Sequence, residues 1–276
     1  MAPLAEHIQT KTLLMGVLNV SPDSFYAPSA AHSLEEAVKK AKRLINEGAD
    51  ILDVGGESSR PGAEPVDLKC ELSRVLPVLD ALREISVTKS IDTYRAETAR
   101  QAVALGANMV NDITALRGDP EMREVVADSG VDCVLMHMQG LPKTMQHDPH
   151  YEDVVDEIKL FFEERIAYAT AGGIPEDRLW LDPGFGFGKT VANNLSILRR
   201  LSEFKQFGLP LMVGTSNKST IGTVLDAPID ARSEGTAATV AIAIANGADC
   251  VRVHDVGAMA RVAAMSDAIV GRTSFE

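Results

Sequence analysis

Eight short apolar runs recur along this chain, each closing on a polar residue, and each run after the first is preceded by a helix-like stretch that ends near a glycine. They span residues 13–19, 51–53, 87–92, 109–111, 131–137, 179–182, 211–216 and 249–254. Four of the approaches share a spelling: Glu47-Gly-Ala-Asp50, Leu105-Gly-Ala-Asn108, Ser129-Gly-Val-Asp132 and Asn246-Gly-Ala-Asp249. A glycine after a helix supplies the left-handed residue that closes it. A short, uninterrupted apolar run behind such a glycine reads as a strand buried on both faces, as in a parallel sheet. Strands alternating with helices in this number predict a (β/α)8 TIM barrel. Chemistry in such barrels sits at the C-terminal strand ends, where this sequence places Asn, Asp, Ser, Arg and His.

The length of 276 residues matches one barrel, and the chain shows no linker, low-complexity tract or shift of composition, so a single domain over residues 1–276 is expected. A net charge of −12 argues against non-specific nucleic-acid binding, and an anionic ligand would need a local cluster of donors. No apolar run approaches the roughly 18 residues of a membrane span. The first twelve residues carry Glu6 and no apolar core, unlike a secretory signal. Cys70, Cys133 and Cys250 form no pairing pattern, which points to a reducing cytoplasm.

Helices are expected near 33–47, with Ser33 and Glu36 as a capping box, and near 67–84, 96–104, 120–128, 151–171, 194–204, 233–246 and 257–269. Three connections, 21–32, 55–66 and 140–150, are long and rich in Gly, Pro or Ser, as binding loops on the catalytic face are.

Asp92, Asn111 and Asp182 each end a strand and can converge at the barrel mouth. Two carboxylates and an amide make an acceptor-biased pocket suited to a flat heterocycle with several N–H donors, such as a guanine or a pterin; alternatively these residues tie down loops. Lys218 follows the seventh run, and Arg252 and His254, two apart on the eighth, face the same side. Barrels often hold phosphate between the loops after strands seven and eight, and Arg and Lys would bind it there. The other reading makes Arg252 and His254 partners of a strand-end carboxylate in a barrel-layer salt bridge. The stretch from Asp182 to Thr190 resembles a phosphate loop but has Pro183 where the motif requires glycine. Its Gly184, Gly186 and Gly188 would let backbone approach a ligand, with Phe185 or Phe187 as a wall. The histidines offer no zinc spacing, and there is no nucleophile elbow for acyl transfer.

These residues resemble one family, the dihydropteroate synthases of the pterin-binding barrels. The resemblance runs over most of the chain. It rests on Gly16-Val-Leu-Asn-Val-Ser-Pro-Asp-Ser-Phe25, Asp53-Val-Gly-Gly-Glu-Ser-Ser-Arg-Pro-Gly-Ala63, Ser90-Ile-Asp-Thr93 and Asn111-Asp-Ile113. It continues in Met136-His-Met-Gln-Gly140, Pro142-Lys-Thr-Met-Gln146, the Asp182 loop, Ser216-Asn-Lys-Ser219 and Val251-Arg-Val-His-Asp255. The resemblance implies condensation of dihydropterin methyl diphosphate with 4-aminobenzoate, releasing pyrophosphate. It implies that Asp92, Asn111, Asp182 and Lys218 hold the pterin, and that Asp53 and Met136 belong to the substrate-binding set. Asn19, Arg252 and His254 would grip the diphosphate, with Asn19 also touching Mg²⁺. Ser59, Arg60, Pro61, Phe187, Lys218 and Ser219 would line the aminobenzoate site. Lys218, Asp92 and Arg252 are the expected catalytic residues, and a homodimer through late helices is implied.

The chain departs from the family pattern at Tyr26-Ala-Pro-Ser29, where Ser-Asp-Gly-Gly is common, at Ser59 for threonine, at Asn217 for arginine, and at Tyr94-Arg95-Ala96 for Ser-Lys-Pro. Two alternatives accompany the synthase reading. One is a methyltetrahydrofolate:corrinoid methyltransferase, which would not need Arg252 with His254. The other is a pterin binder without synthase activity.

Overall fold

The computed structural model describes residues 8, 10–20, 30–58, 64–140 and 143–273. Eight strands appear in the predicted places: β1 Leu13–Asn19, β2 Ile51–Gly55, β3 Thr88–Asp92, β4 Met109–Asp112, β5 Asp132–Met136, β6 Leu179–Asp182, β7 Met212–Val213 and β8 Cys250–Val253. All their pairings are parallel, in the order β6-β5-β4-β3-β2-β1-β8-β7. A single bridge, Leu181 to Leu211, joins β6 to the approach to β7 and completes the ring. The helices are α1 Ala30–Asn46, α2 Leu68–Ala81, α3 Ala96–Ala104, α4 Met122–Ser129, α5 Val154–Ala171, α6 Val191–Arg199, α7 Ser219–Leu225, α8 Ser233–Ala245 and α9 Val256–Ile269.

The two faces of the strands explain the uninterrupted apolar runs. Leu13, Met15, Ile51, Met109, Val134, Trp180, Met212 and Cys250 fill the barrel interior, so its lower half is a packed plug rather than a pore. The alternate residues, among them Leu52, Val54, Ile91, Val110, Leu135, Leu181 and Val251, pack outward against helix residues such as Leu44, Val75, Leu79, Phe162 and Met259. Each large apolar side chain buried this way contributes roughly 1.5–3 kcal/mol.

The repeated Gly-x-Asp/Asn spelling has two parts with separate causes. Gly48, Gly106, Gly130 and Gly247 all adopt the positive φ that ends a helix, from +63° to +106°. The polar residue two places on then stitches the next strand to a neighbour. Asp50 accepts from the backbone N–H of Leu14, Asn108 from that of Lys89, and Asp249 from that of Leu211. Asp132 instead takes Arg178, just before β6. These contacts satisfy polar groups at the end of the barrel away from the site.

Several boundaries differ from expectation. α1 begins at Ala30, so Ser33 lies inside the helix and its capping box is not the start signal. The stretch expected as one helix over 194–204 is α6, capped by a Thr190–Asn193 box, followed by a 3-10 turn over Leu201–Phe207. α7 was hidden inside a loop because seven residues are too few to show a helical period. Among the described residues no helix is long and apolar enough to cross a membrane.

Candidate active site

Strand register builds the mouth of the barrel. Asn19 of β1 pairs with Gly55 of β2, Gly55 with Asp92 of β3, and Asp92 with Asn111 of β4. Four neighbouring strands thus end at one level, with two amides and a carboxylate side by side. Gly55 leaves the floor between Asn19 and Asp92 open, since a Cβ there would touch both side chains. Further round, Met136 of β5 pairs with Asp182 of β6.

One layer below, Arg252 rises from β8 across the barrel. Its Nε donates to Asp53 Oδ2 at 2.6 Å, and its Nη2 donates to Asp92 Oδ2 at 2.7 Å. Asn111 Nδ2 donates to the same Asp53 oxygen at 3.1 Å. The barrel-layer salt bridge is therefore present for Arg252. Asp53 is fully buried beneath it and lines neither of the cavities described below. Burial lifts the Asp92 carboxyl to about 7; Arg252 pulls it the other way, and Asp53, Glu71 and Asp112 add to the rise. Burial opposes the charge on Arg252, but Asp53 and Asp92 overcome it and raise its pKa. Asp182 is also raised by burial, against the Gly184 N–H that it accepts at 2.7 Å and the nearby Lys218 and Lys189. Asp53 Oδ1 and Asn111 Oδ1 are buried acceptors with no protein partner.

Two connected spaces open above this layer. A narrow cleft of about 20 Å³ lies among Asp92, Asn111, Met136, Asp182, Phe187 and Lys218, with Ile113, Phe185, Gly214 and Arg252. A wider cavity of about 340 Å³ is lined by Asn19, Glu57, Ser58, Lys218, Ser219 and His254, with Ser216, Asn217, Ile229 and Arg232. Asp92, Phe187, Lys218 and Arg252 line both. The Lys218 ammonium stands 4.0 Å over the Phe187 ring, a cation–π contact that places both at the junction. His254 is oriented through Nδ1 by Ser216 Oγ at 3.0 Å.

The loop after β6 acts differently from expectation. Gly184, Gly186 and Gly188 all have positive φ. A Cβ at Gly184 or Gly188 would overlap the carbonyl oxygen of His137 or Gln139. These two glycines let this loop pack against the segment after β5 rather than approach a ligand. Phe185, buried as core, and Phe187 both border the narrow cleft, and of the two Phe187 also walls the wider cavity. Behind the loop, Lys189 Nζ donates to Phe187 O at 2.9 Å and lies 2.9 Å from His137 Nδ1. Burial brings its pKa down to about 7, with Asp182 opposing the shift.

Of the expected site residues, Asn19, Asp92, Asn111, Met136, Asp182, Phe187, Lys218, Ser219, Arg252 and His254 come together around these two spaces. Ser59, Arg60 and Pro61, like the altered stretch 26–29, lie outside the described residues. Sequence reasoning missed Ser216, Ile229 and Arg232 as lining residues. Ser216 sits inside a quoted motif and could have been taken from its place at a strand end. Arg232 enters from the turn before α8 and donates to Asn217 O at 2.9 Å, so a cation stands against the uncharged position 217.

A sequence model described as pterin binding enzyme matches residues 15–254. Dihydropteroate synthase of Synechocystis sp. is 47% identical over 94% of this chain and 90% of its own. The Yersinia pestis dihydropteroate synthase crystallised with a sulfonamide drug complex superposes with a TM-score of 0.90 at 42% identity, covering 95% of this chain and 96% of that one. The Xanthomonas albilineans dihydropteroate synthase with 4-aminobenzoic acid gives 0.88 at 42%, covering 95% and 94%. The cleft and cavity thus lie in a barrel shared from end to end with these transferases, and the chain belongs to the dihydropteroate synthases of the pterin-binding enzyme family.

Proposed function

We propose that this chain condenses (7,8-dihydropterin-6-yl)methyl diphosphate with 4-aminobenzoate to 7,8-dihydropteroate and pyrophosphate, with the donor edge of the pterin set into the narrow cleft and the rest of the ligands in the wider cavity. The observation that carries this reading is the junction. An acceptor-rich cleft opens directly into a cavity bearing Lys218, Arg252 and His254, and the two share Asp92, Phe187, Lys218 and Arg252.

The donor edge of the pterin meets Asp92, Asp182 and the unpartnered Asn111 Oδ1. The C–O bond to the diphosphate breaks with its electron pair going to the leaving oxygen. The methylene carbon shares its positive charge with the ring, and the carboxyls beneath stabilise it. The neutral aniline nitrogen forms the new C–N bond, and its proton leaves to pyrophosphate or water. The nucleophile is adequate once held in line, so no nucleophile–base pair is required. Lys218 lies over Phe187 where ring and amine meet, and Arg252 fixes Asp92 while facing the cavity. His254 and Arg252 are the proposed diphosphate-binding donors. Ser219 and Phe187, with Ser59, Arg60 and Pro61, are the proposed aminobenzoate residues, where a sulfonamide would also compete.

No group of three metal-ligating side chains occurs among the described residues. Asn19 offers a single hard oxygen in the cavity, which fits Mg²⁺ carried mainly by diphosphate and water. Bound there, Mg²⁺ would neutralise charge on the leaving group. The chain is further proposed to work in the cytoplasm, in line with its three free cysteines. It is also proposed to work as a homodimer, since Ile242 of α8 and Met265 and Ile269 of α9 are exposed at 50%, 62% and 73%.

The test is pyrophosphate release with the pterin diphosphate, 4-aminobenzoate and Mg²⁺ each omitted in turn. Release requiring all three, with dihydropteroate formed alongside, supports the reading. Tight pterin binding without release would make the chain a binder.

A further inference from the structure

One cluster beside the site is unused by the reaction. It involves a departure from the family pattern, Tyr94-Arg95. The guanidinium of Arg95 lies between two carboxylates, 2.8 Å from Glu57 Oε2 and 2.8 Å from Glu71 Oε2. Its Nη2 donates to the Val66 carbonyl at 2.6 Å and to the Tyr94 hydroxyl at 2.9 Å. Tyr94 in turn donates to Glu57 Oε1 at 2.9 Å, and the Val66 N–H reaches Glu57 Oε2 at 3.2 Å. Glu71, buried in α2, also accepts from Thr93 and Thr98 at 2.7 and 2.8 Å, so the anchor itself is held rigidly.

Glu57 and Val66 are the two ends of the connection between β2 and α2. Arg95 grips both, and Glu57 and Ser58 line the wider cavity. We propose that Arg95 is a positioning residue that staples Glu57 to Val66 and to Glu71 and thereby sets the wall that Glu57 and Ser58 give the wider cavity, where the amine substrate is received; this rests on the synthase reading above. Held by one guanidinium, Glu57 and Val66 are in place before a ligand arrives, so the Glu57 wall of the cavity is pre-organised. Arg95 itself lines neither cavity, so its effect passes through Glu57 and Ser58. The charges are partly shielded from water, where paired hydrogen bonds to ions count for more than at the surface.

The experiment compares wild type with Arg95→Met and Arg95→Lys, measuring KM for each substrate and kcat. In Arg95→Met the KM for 4-aminobenzoate rises about tenfold or more, the scale of losing a charge-assisted hydrogen bond. The KM for the pterin diphosphate stays within about twofold, and Arg95→Lys recovers part of the loss. Hydrogen exchange gives a readout independent of turnover: the Val66 amide exchanges faster in Arg95→Met, while amides of β5 and β6 do not change. Equal rises in both KM values, or no rise in either, would overturn the staple. Should Arg95→Met fail to fold, Tyr94→Phe removes one bond to Glu57 and predicts a smaller rise confined to 4-aminobenzoate. Wild-type protein that forms no product would refute the synthase reading instead, and the exchange comparison would still report on the staple.

Discussion

Replacing Arg252 by methionine should destabilise the fold in a pH-dependent way, beyond any effect on diphosphate. Arg252 is bonded to Asp53, which is fully buried, and to Asp92. Removing one partner from a buried ion pair typically costs about 3–5 kcal/mol, because the other charge remains without compensation. Asp92 titrates at about 7 in the native state, against 3.8 ordinarily. A raised value means that the native state holds the extra proton. The stabilisation from that proton is complete below the ordinary value and is lost as pH rises through 7. Arg252 is the one cause that lowers Asp92, so its removal pushes the native value higher. The higher native value costs nothing at pH 5, where Asp92 is protonated in the folded protein either way, and costs stability at pH 9, so the penalty is larger at pH 9, at about 1.4 kcal/mol for each tenfold change in the proton equilibrium. Urea unfolding of wild type and Arg252→Met at pH 5 and pH 9 measures this directly. Equal destabilisation at both pH values would refute the reasoning. Adding Asp92→Asn should remove most of the difference, since the group responsible is then gone.

Lys218→Ala removes the cation at the junction of cleft and cavity and is expected to lower kcat/KM by orders of magnitude with unfolding unchanged; near-normal turnover in folded protein would contradict its assignment. Gly184→Ala puts a methyl group into the His137 carbonyl at a φ of +67°, so a loss of about 3 kcal/mol or more, or failure to fold, is expected on thermal unfolding. Met265→Glu with Ile269→Glu should yield a monomer by sedimentation if α9 carries the proposed dimer contact, and an unchanged dimer would place that contact elsewhere.

The barrel was readable because its signal is local and repeated. Each apolar run reports burial on both faces, and Gly48, Gly106, Gly130 and Gly247 mark helix ends within a few residues. The gathering of Asn19, Asp92, Asn111 and Asp182 at the mouth was readable for a related reason: three of them end strands, Asn111 is one residue short of an end, and strand ends in a barrel share a rim. Pairing between them was not readable. Arg252 meets Asp53 across 199 residues, and the sequence reading put phosphate first as its partner, with a strand-end carboxylate as the alternative. Gly184 and Gly188 misled for the same reason, because the backbone they approach, at His137 and Gln139, is distant in sequence, whereas Gly186 does line the wider cavity, against Lys218. Ser33 and Glu36 spell a capping pattern too late in the chain, since α1 starts at Ala30.

The ring of strands is fastened unevenly. β7 is two residues long, and among the described residues a single bridge, Leu181–Leu211, joins its approach to β6, whereas β1 and β2 are paired over five positions. Local opening follows the boundary with the fewest ladder bonds, so this seam is where the cylinder parts first. The two edges of that seam carry Asp182 on one side and Gly214 to Lys218 on the other, both walls of the narrow cleft. The pairing that closes the scaffold at this line therefore also sets the width of the narrow cleft. A tether sewn across this line would stiffen the fold and narrow the slot together.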